Sequence, residues 1–111
     1  MIAKKKRLNS KMFQNAFNRG KILHSKNFII RFIPNNLEYS RFSIAVGVKV
    51  SKKANIRNKL KRKISEAIRL NLSHLRVGID YVIILKQGNI LDIAKLKFKD
   101  IENEIRHIIA N

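Results

Sequence analysis

The chain has 111 residues, with 25 Lys and Arg against seven Asp and Glu, a formal net charge of +18. That length suits one domain with one modest core, and an apolar share of 45% is enough to fold it. With no cysteine, a disulfide framework and a thiolate zinc site are excluded, and no apolar run approaches the roughly 20 residues that span a bilayer.

Residues 1–111 read as a single domain whose first seven residues, Met1 to Arg7, form a basic, flexible tail. No apolar run follows the tail, so it is not read as a secretory signal. Asn9 or Ser10 can cap a first helix that runs to about Arg19, and Gly20 can end it. Phe13, Ala16 and Phe17 share one face of that helix. Lys21 to His24 suits a short strand, and Asn27 to Ile33, rich in β-branched and aromatic residues, a better one. Pro34-Asn35-Asn36 is a turn signal. Arg41 to Val50 alternates Phe42, Ile44, Val46, Val48 and Val50 against the small Ser43, Ala45 and Gly47, which predicts a third strand with one face under a helix or beside a ligand.

A long helix follows from about Asn55 to Leu72, with Ile56, Leu60, Ile64, Ala67 and Ile68 as its apolar stripe. Gly78 breaks the pattern, and Asp80 to Lys86 reads as a strand covered on both faces. After a turn at Gln87-Gly88-Asn89, Asp92 can cap a last helix that buries Ala94, Phe98, Ile101, Ile105 and Ile108. Glu102 and Arg106 have i,i+4 spacing on its outer face. The order is αβββαβα, an α+β arrangement.

The charge is unevenly placed. Residues 1–79 hold twenty of the basic residues against Glu38 and Glu66 alone, whereas residues 80–111 hold five of each sign. Such a field favours a polyanion, because each neutralised phosphate releases condensed counterions. The densest run is 49–63, where eight of fifteen residues are basic and none is acidic. At about 100° per residue, with Leu60 facing the core, Asn58, Arg62, Ser65 and Arg69 point outward, and Lys59 and Lys61 flank them. Arg57 and Lys63 border the apolar stripe and can reach out along their stems. Guanidinium, ammonium, amide and hydroxyl groups on one helix face suit a folded RNA backbone.

These residues carry a family resemblance. Val46-Gly47-Val48, Ser51-Lys52-Lys53 and Arg57-Asn58-Lys59-Leu60-Lys61-Arg62 with Arg69 resemble the signature of the bacterial ribonuclease P protein, a strand ending in a Lys-Lys pair and then an Arg-Asn helix. Phe13-x-x-x-Phe17-x-x-Gly20 is similar to the family's first helix, and the resemblance spans nearly the whole chain. It implies a two-layer αβββαβα sandwich with a four-stranded sheet and a left-handed crossover between the third and fourth strands. It implies a catalytic RNA partner, one protein with one RNA, and a bacterial cytoplasmic enzyme that removes the 5′ leader of precursor tRNA. The RNA subunit and its Mg2+ would do the chemistry, with no cofactor on the protein. Lys52, Lys53, Arg57, Asn58, Lys59, Lys61, Arg62, Ser65 and Arg69 would face that RNA.

Phe13, Phe17 and Arg31 would line a cleft for the single-stranded leader, whereas from spacing alone aromatic residues at i,i+4 on an amphipathic helix usually pack into the core. Three departures stand out. Lys59 replaces the second Arg of the family's Arg-Asn-Arg, the link from Lys53 to Arg57 is shorter than usual, and Arg31 stands where relatives often carry an aromatic residue.

No protein active site is legible. Asp80, Asp92, Asp100, Glu102 and Glu104 have no partner histidine in the pattern, Asp100 and Glu104 read as solvated surface, and His24, His74 and His107 are scattered. Charge alone also fits a structural RNA-binding protein of the ribosomal kind, or a protein for anionic membranes or DNA.

Overall fold

The computed structural model describes residues 2–87 and 97–109. Three helices, α1 (Ser10–Arg19), α2 (Ala54–Leu70) and α3 (Phe98–Ile109), accompany four strands, β1 (Lys21–His24), β2 (Phe28–Pro34), β3 (Arg41–Ala45) and β4 (Ile79–Leu85). The sheet order is β1-β2-β4-β3. β1 and β2 are antiparallel, as are β2 and β4, while β3 lies parallel to β4 at the other edge. The α+β class and four-stranded sheet agree with the sequence reading. The parallel β3–α2–β4 unit is the connection to which the resemblance assigns a left-handed sense.

Side-chain alternation gives the sheet two unlike faces. Phe28 and Ile30 of β2, Phe42 of β3, and Ile79, Tyr81, Ile83 and Leu85 of β4 pack with Leu60, Ile64 and Ile68 of α2 and Ile101, Ile105 and Ile109 of α3. Tyr81 lies centrally, its ring stacked on Phe42 with centroids 5.4 Å apart. The opposite face carries Arg31, Ser43, Ala45 and Val82, and α1 crosses it. Ala16 of α1 and Val82 of β4 are fully buried there.

Helix α1 begins where Asn9 Oδ1 accepts from the Met12 amide at 2.9 Å, the expected cap. It ends at Gly20 for a reason of space. A Cβ there would lie 2.3 Å from the Ala16 carbonyl oxygen and 2.9 Å from that of Phe32, so only glycine lets the chain turn directly into β1.

Four expectations change. The basic tail is docked: Ile2 is buried, Lys4–Lys6 form a 3-10 turn, and the Leu8 amide donates to the Phe42 carbonyl at 3.0 Å. Ile2 supplies apolar burial that a purely basic tail would lack. The third strand stops at Ala45, which pairs with Ile84 one residue before β4 ends. Past that point the Val50 amide closes a turn onto the Gly47 carbonyl at 3.0 Å. Val46 and Val50 then point inward while Val48 is 64% exposed, so the alternation of 46–50 belongs to a turn.

Glu102 does not pair with Arg106 among the described residues. It accepts instead from Asn71 Nδ2 at 2.8 Å, tying α3 to the end of α2. Glu104, read as solvated surface, is a clamp. Its carboxylate accepts from the Ser25 hydroxyl, from the Asn27 amide at 2.8 Å and from Asn27 Nδ2 at 2.7 Å, fixing the β1–β2 turn to α3. The expected turn residues Gly88 and Asn89, the cap Asp92 and the helix residue Ala94 lie outside the described residues.

Candidate nucleic-acid interface

Helix α2 starts directly after the pair Lys52 and Lys53. Lys53 is the N-cap, its carbonyl accepts from the Arg57 amide at 3.1 Å, and its own amide donates to the Ser51 hydroxyl at 3.2 Å. Arg57 therefore stands one turn into the helix and reaches back, its Nη1 donating to the Ser51 carbonyl at 2.9 Å. Part of its fork is spent on bracing the loop that presents Lys52 and Lys53 to solvent.

Asn58, Lys59, Lys61 and Arg62 are exposed, as predicted. Among the described residues, no carboxylate pairs with Lys59, Lys61 or Arg62. Arg69 is exposed but engaged. Its guanidinium meets Glu66 at 2.7 Å, a hydrogen-bonded pair that lowers the Glu66 pKa and raises that of Arg69. Ser65 departs from expectation. It is only 9% exposed, whereas Ile56 is 37% exposed. The buried stripe is centred nearer Ile64 and Ile68 than Leu60, because the docked N-terminal segment and β3 cover the Ser65 side of α2.

A second cluster forms on the opposite face of the sheet. The rings of Phe13 and Phe17 stack at 5.7 Å and 14°, and the Arg31 guanidinium lies over Phe17 at 5.2 Å. Phe17 is 38% exposed and Phe13 half-buried, so this pair is not core. One turn away, Phe13, Gln14, Asn9 and Ser43 line a cleft of about 250 Å³ between α1 and β3. Arg31 Nε is buried without a hydrogen-bond partner among the described residues. Aromatic faces, a guanidinium plane and the small Ser43 and Ala45 make a shallow platform that a flat, polar, anionic ligand can meet.

The carboxylates do other work. Asp80 receives both Arg41 Nε and Arg41 Nη2 at 2.8 Å, and Asn35 Nδ2 at 2.9 Å. That pairing raises the Arg41 pKa. With Asp80, Glu102 and Glu104 engaged separately, no group of three or more His, Asp or Glu side chains among the described residues could hold a metal ion. No described helix is long and apolar enough to cross a membrane.

A rigid sheet with a cationic helix on one side and an aromatic–guanidinium platform on the other defines a single-domain nucleic-acid-binding protein. The comparisons sharpen that class. The family model named Ribonuclease P matches residues 2–111. The ribonuclease P protein component of Fusobacterium nucleatum is 38% identical over 99 residues, covering 89% of this chain and 88% of that one. The Petrotoga mobilis component is 33% identical over 107 residues, covering 96% and 90%. The solved ribonuclease P protein of Thermotoga maritima superposes with a TM-score of 0.84 at 31% identity, covering 93% of this chain and 94% of that one. The chain belongs to the ribonuclease P protein family. It works as the protein component of the ribonuclease P holoenzyme, which processes tRNA 5′ ends, in partnership with the ribonuclease P RNA.

Proposed function

We propose that the two sides of the sheet hold two different RNAs. The basic face of α2, through Lys52, Lys53, Asn58, Lys59, Lys61 and Arg62, grips the catalytic RNA, with Arg57 and Arg69 each sharing their fork with a protein partner. The Phe13–Phe17–Arg31 platform takes the single-stranded 5′ leader of precursor tRNA, bases on the rings and a phosphate or base acceptor on the guanidinium. The observation that carries this division is the placement of the two clusters on opposite faces of one rigid sheet.

One protein serves one RNA subunit, in the bacterial cytoplasm. Phosphodiester hydrolysis belongs to the RNA and its Mg2+; the protein raises affinity for RNA and orients the leader. Adding the protein to its cognate RNA should strongly increase leader cleavage at low Mg2+, with binding that weakens steeply as salt rises. No stimulation, or co-purification with ribosomal subunits in place of one short stable RNA, would overturn the assignment.

A further inference from the structure

A crevice of about 240 Å³ lies where the N-terminal segment, β3 and α2 meet, beside the Lys61 and Arg62 part of the α2 contact and away from the leader platform. Ile2, Leu8, Phe42 and Ile44 give it apolar walls, while Ser65 of α2 and the cations Arg7, Lys61 and Arg62 stand around it. None of the described residues that line it is a carboxylate, and the nearby Glu66 is held by Arg69.

The crevice also has a hydrogen-bonding edge. β3 is an edge strand, and among the described residues the N-terminal segment pairs with it only at Arg7 opposite Phe42, with Leu8 donating to the Phe42 carbonyl. Strand residues alternate in the direction of their backbone groups, so Ile44 directs its amide and carbonyl toward the same free edge as Phe42. Among the described residues nothing pairs with them on that side. A donor and an acceptor side by side at an apolar slot, with cations at the mouth, match the parts of one nucleotide. The flat base needs apolar walls, its Watson–Crick edge needs a donor and an acceptor, and its phosphates need cations.

We propose that this crevice is a single-nucleotide pocket, which takes one unstacked base of the ribonuclease P RNA and sets the flanking phosphates on Arg7, Lys61 and Arg62. The proposal rests on the chain's role as an RNA-binding subunit. The RNA subunit is the occupant because the crevice adjoins the α2 side of β3, continuous with Lys61 and Arg62, whereas Phe13 and Phe17 lie across the sheet. The docked N-terminus thereby gains a purpose, since Ile2, Arg7 and Leu8 build one wall.

Ser65→Leu fills the crevice without altering charge. Binding of the cognate RNA is measured across a salt series, with folding checked by circular dichroism. The expected result is a loss of roughly tenfold or more with an unchanged salt slope, because a base contact is lost and no phosphate contact is. In parallel, NMR of the wild-type protein should show the Ile44 amide and the Ile2 and Leu8 methyl signals shifting with cognate RNA but not with a fully paired RNA duplex. A folded Ser65→Leu protein that binds like wild type overturns the proposal. If that variant does not fold, the NMR decides, and unmoved signals overturn it. A wild-type protein that binds no cognate RNA overturns the subunit assignment as well, whereas one that binds and stimulates cleavage while failing these tests overturns the pocket alone.

Discussion

The same strands do opposite work on their two faces. On the α2–α3 face, Ile30, Tyr81 and Ile83 are at most 1% exposed, and the layer is closed except for the crevice at the β3 edge. On the α1 face, Ala16 and Val82 seal only the centre, and Arg31, Phe17 and the 250 Å³ cleft remain open toward solvent. A single helix laid across a four-stranded sheet cannot cover it, and the uncovered part is where a polar side chain such as Arg31 can sit without full desolvation. The comparison shows how a small chain keeps stability and binding apart. Period-two alternation assigns each strand residue to one task, so a change on one face should leave the other largely intact.

The largest expected effect falls on stability. Asp80→Ala strips the mostly covered Arg41 side chain of its paired, buried carboxylate, and Asn35 of one of its two acceptors. Urea unfolding should show a loss of about 3–5 kcal/mol. Asp80 and Arg41 share the α1 side of the sheet with Val82 and Ser43, so affinity for the catalytic RNA at α2, measured under conditions where the variant stays folded, should change little, and a proportionate loss of that affinity would blur the division between the faces.

A smaller effect falls on binding. Arg62→Ala should lower the slope of log affinity against log salt by about 1, if Arg62 neutralises one phosphate. Arg69→Ala should lower it less, because Glu66 already holds that guanidinium. Equal slopes would show that RNA displaces Glu66.

The smallest effect concerns the centre of the closed face. The Tyr81 hydroxyl is buried without a partner among the described residues, so Tyr81→Phe should be neutral or slightly stabilising in thermal unfolding near neutral pH. Burial pushes the phenol up to about 12 from 10.0, so the folded state resists ionisation that the unfolded chain allows. Tyr81 stability is therefore intact below pH 10 and lost as pH rises from 10 toward 12, by about 2–3 kcal/mol at 1.36 kcal/mol per unit. The phenylalanine variant should lack that part of the alkaline decline.

Much of this was legible in sequence because it follows from period. The strands 28–34 and 79–85 announced themselves by β-branched and aromatic runs, and the outward Asn58, Lys59, Lys61 and Arg62 by helical spacing. What escaped were facts decided by distant partners. Ser65 has outward spacing and is buried by the N-terminal segment and β3, and no periodicity in α2 encodes that. Glu104 looked solvated because its donors, Ser25 and Asn27, lie 79 and 77 residues away. Ile2 and Leu8, flanking the basic run, were the available signal that the tail docks. For Phe13 and Phe17, spacing favoured the core; the rings instead stack on each other at the surface, with Arg31 of β2 over Phe17.

The most direct test of the two-face account is the affinity of the holoenzyme for precursor tRNAs with long and with very short leaders, compared between wild type and Phe17→Ala. The account predicts that Phe17→Ala weakens the long-leader substrate by about 1–3 kcal/mol, leaves the short-leader substrate unchanged, and assembles with the catalytic RNA as wild type does. Equal weakening for both leaders, or a loss of affinity for the catalytic RNA itself, would contradict it.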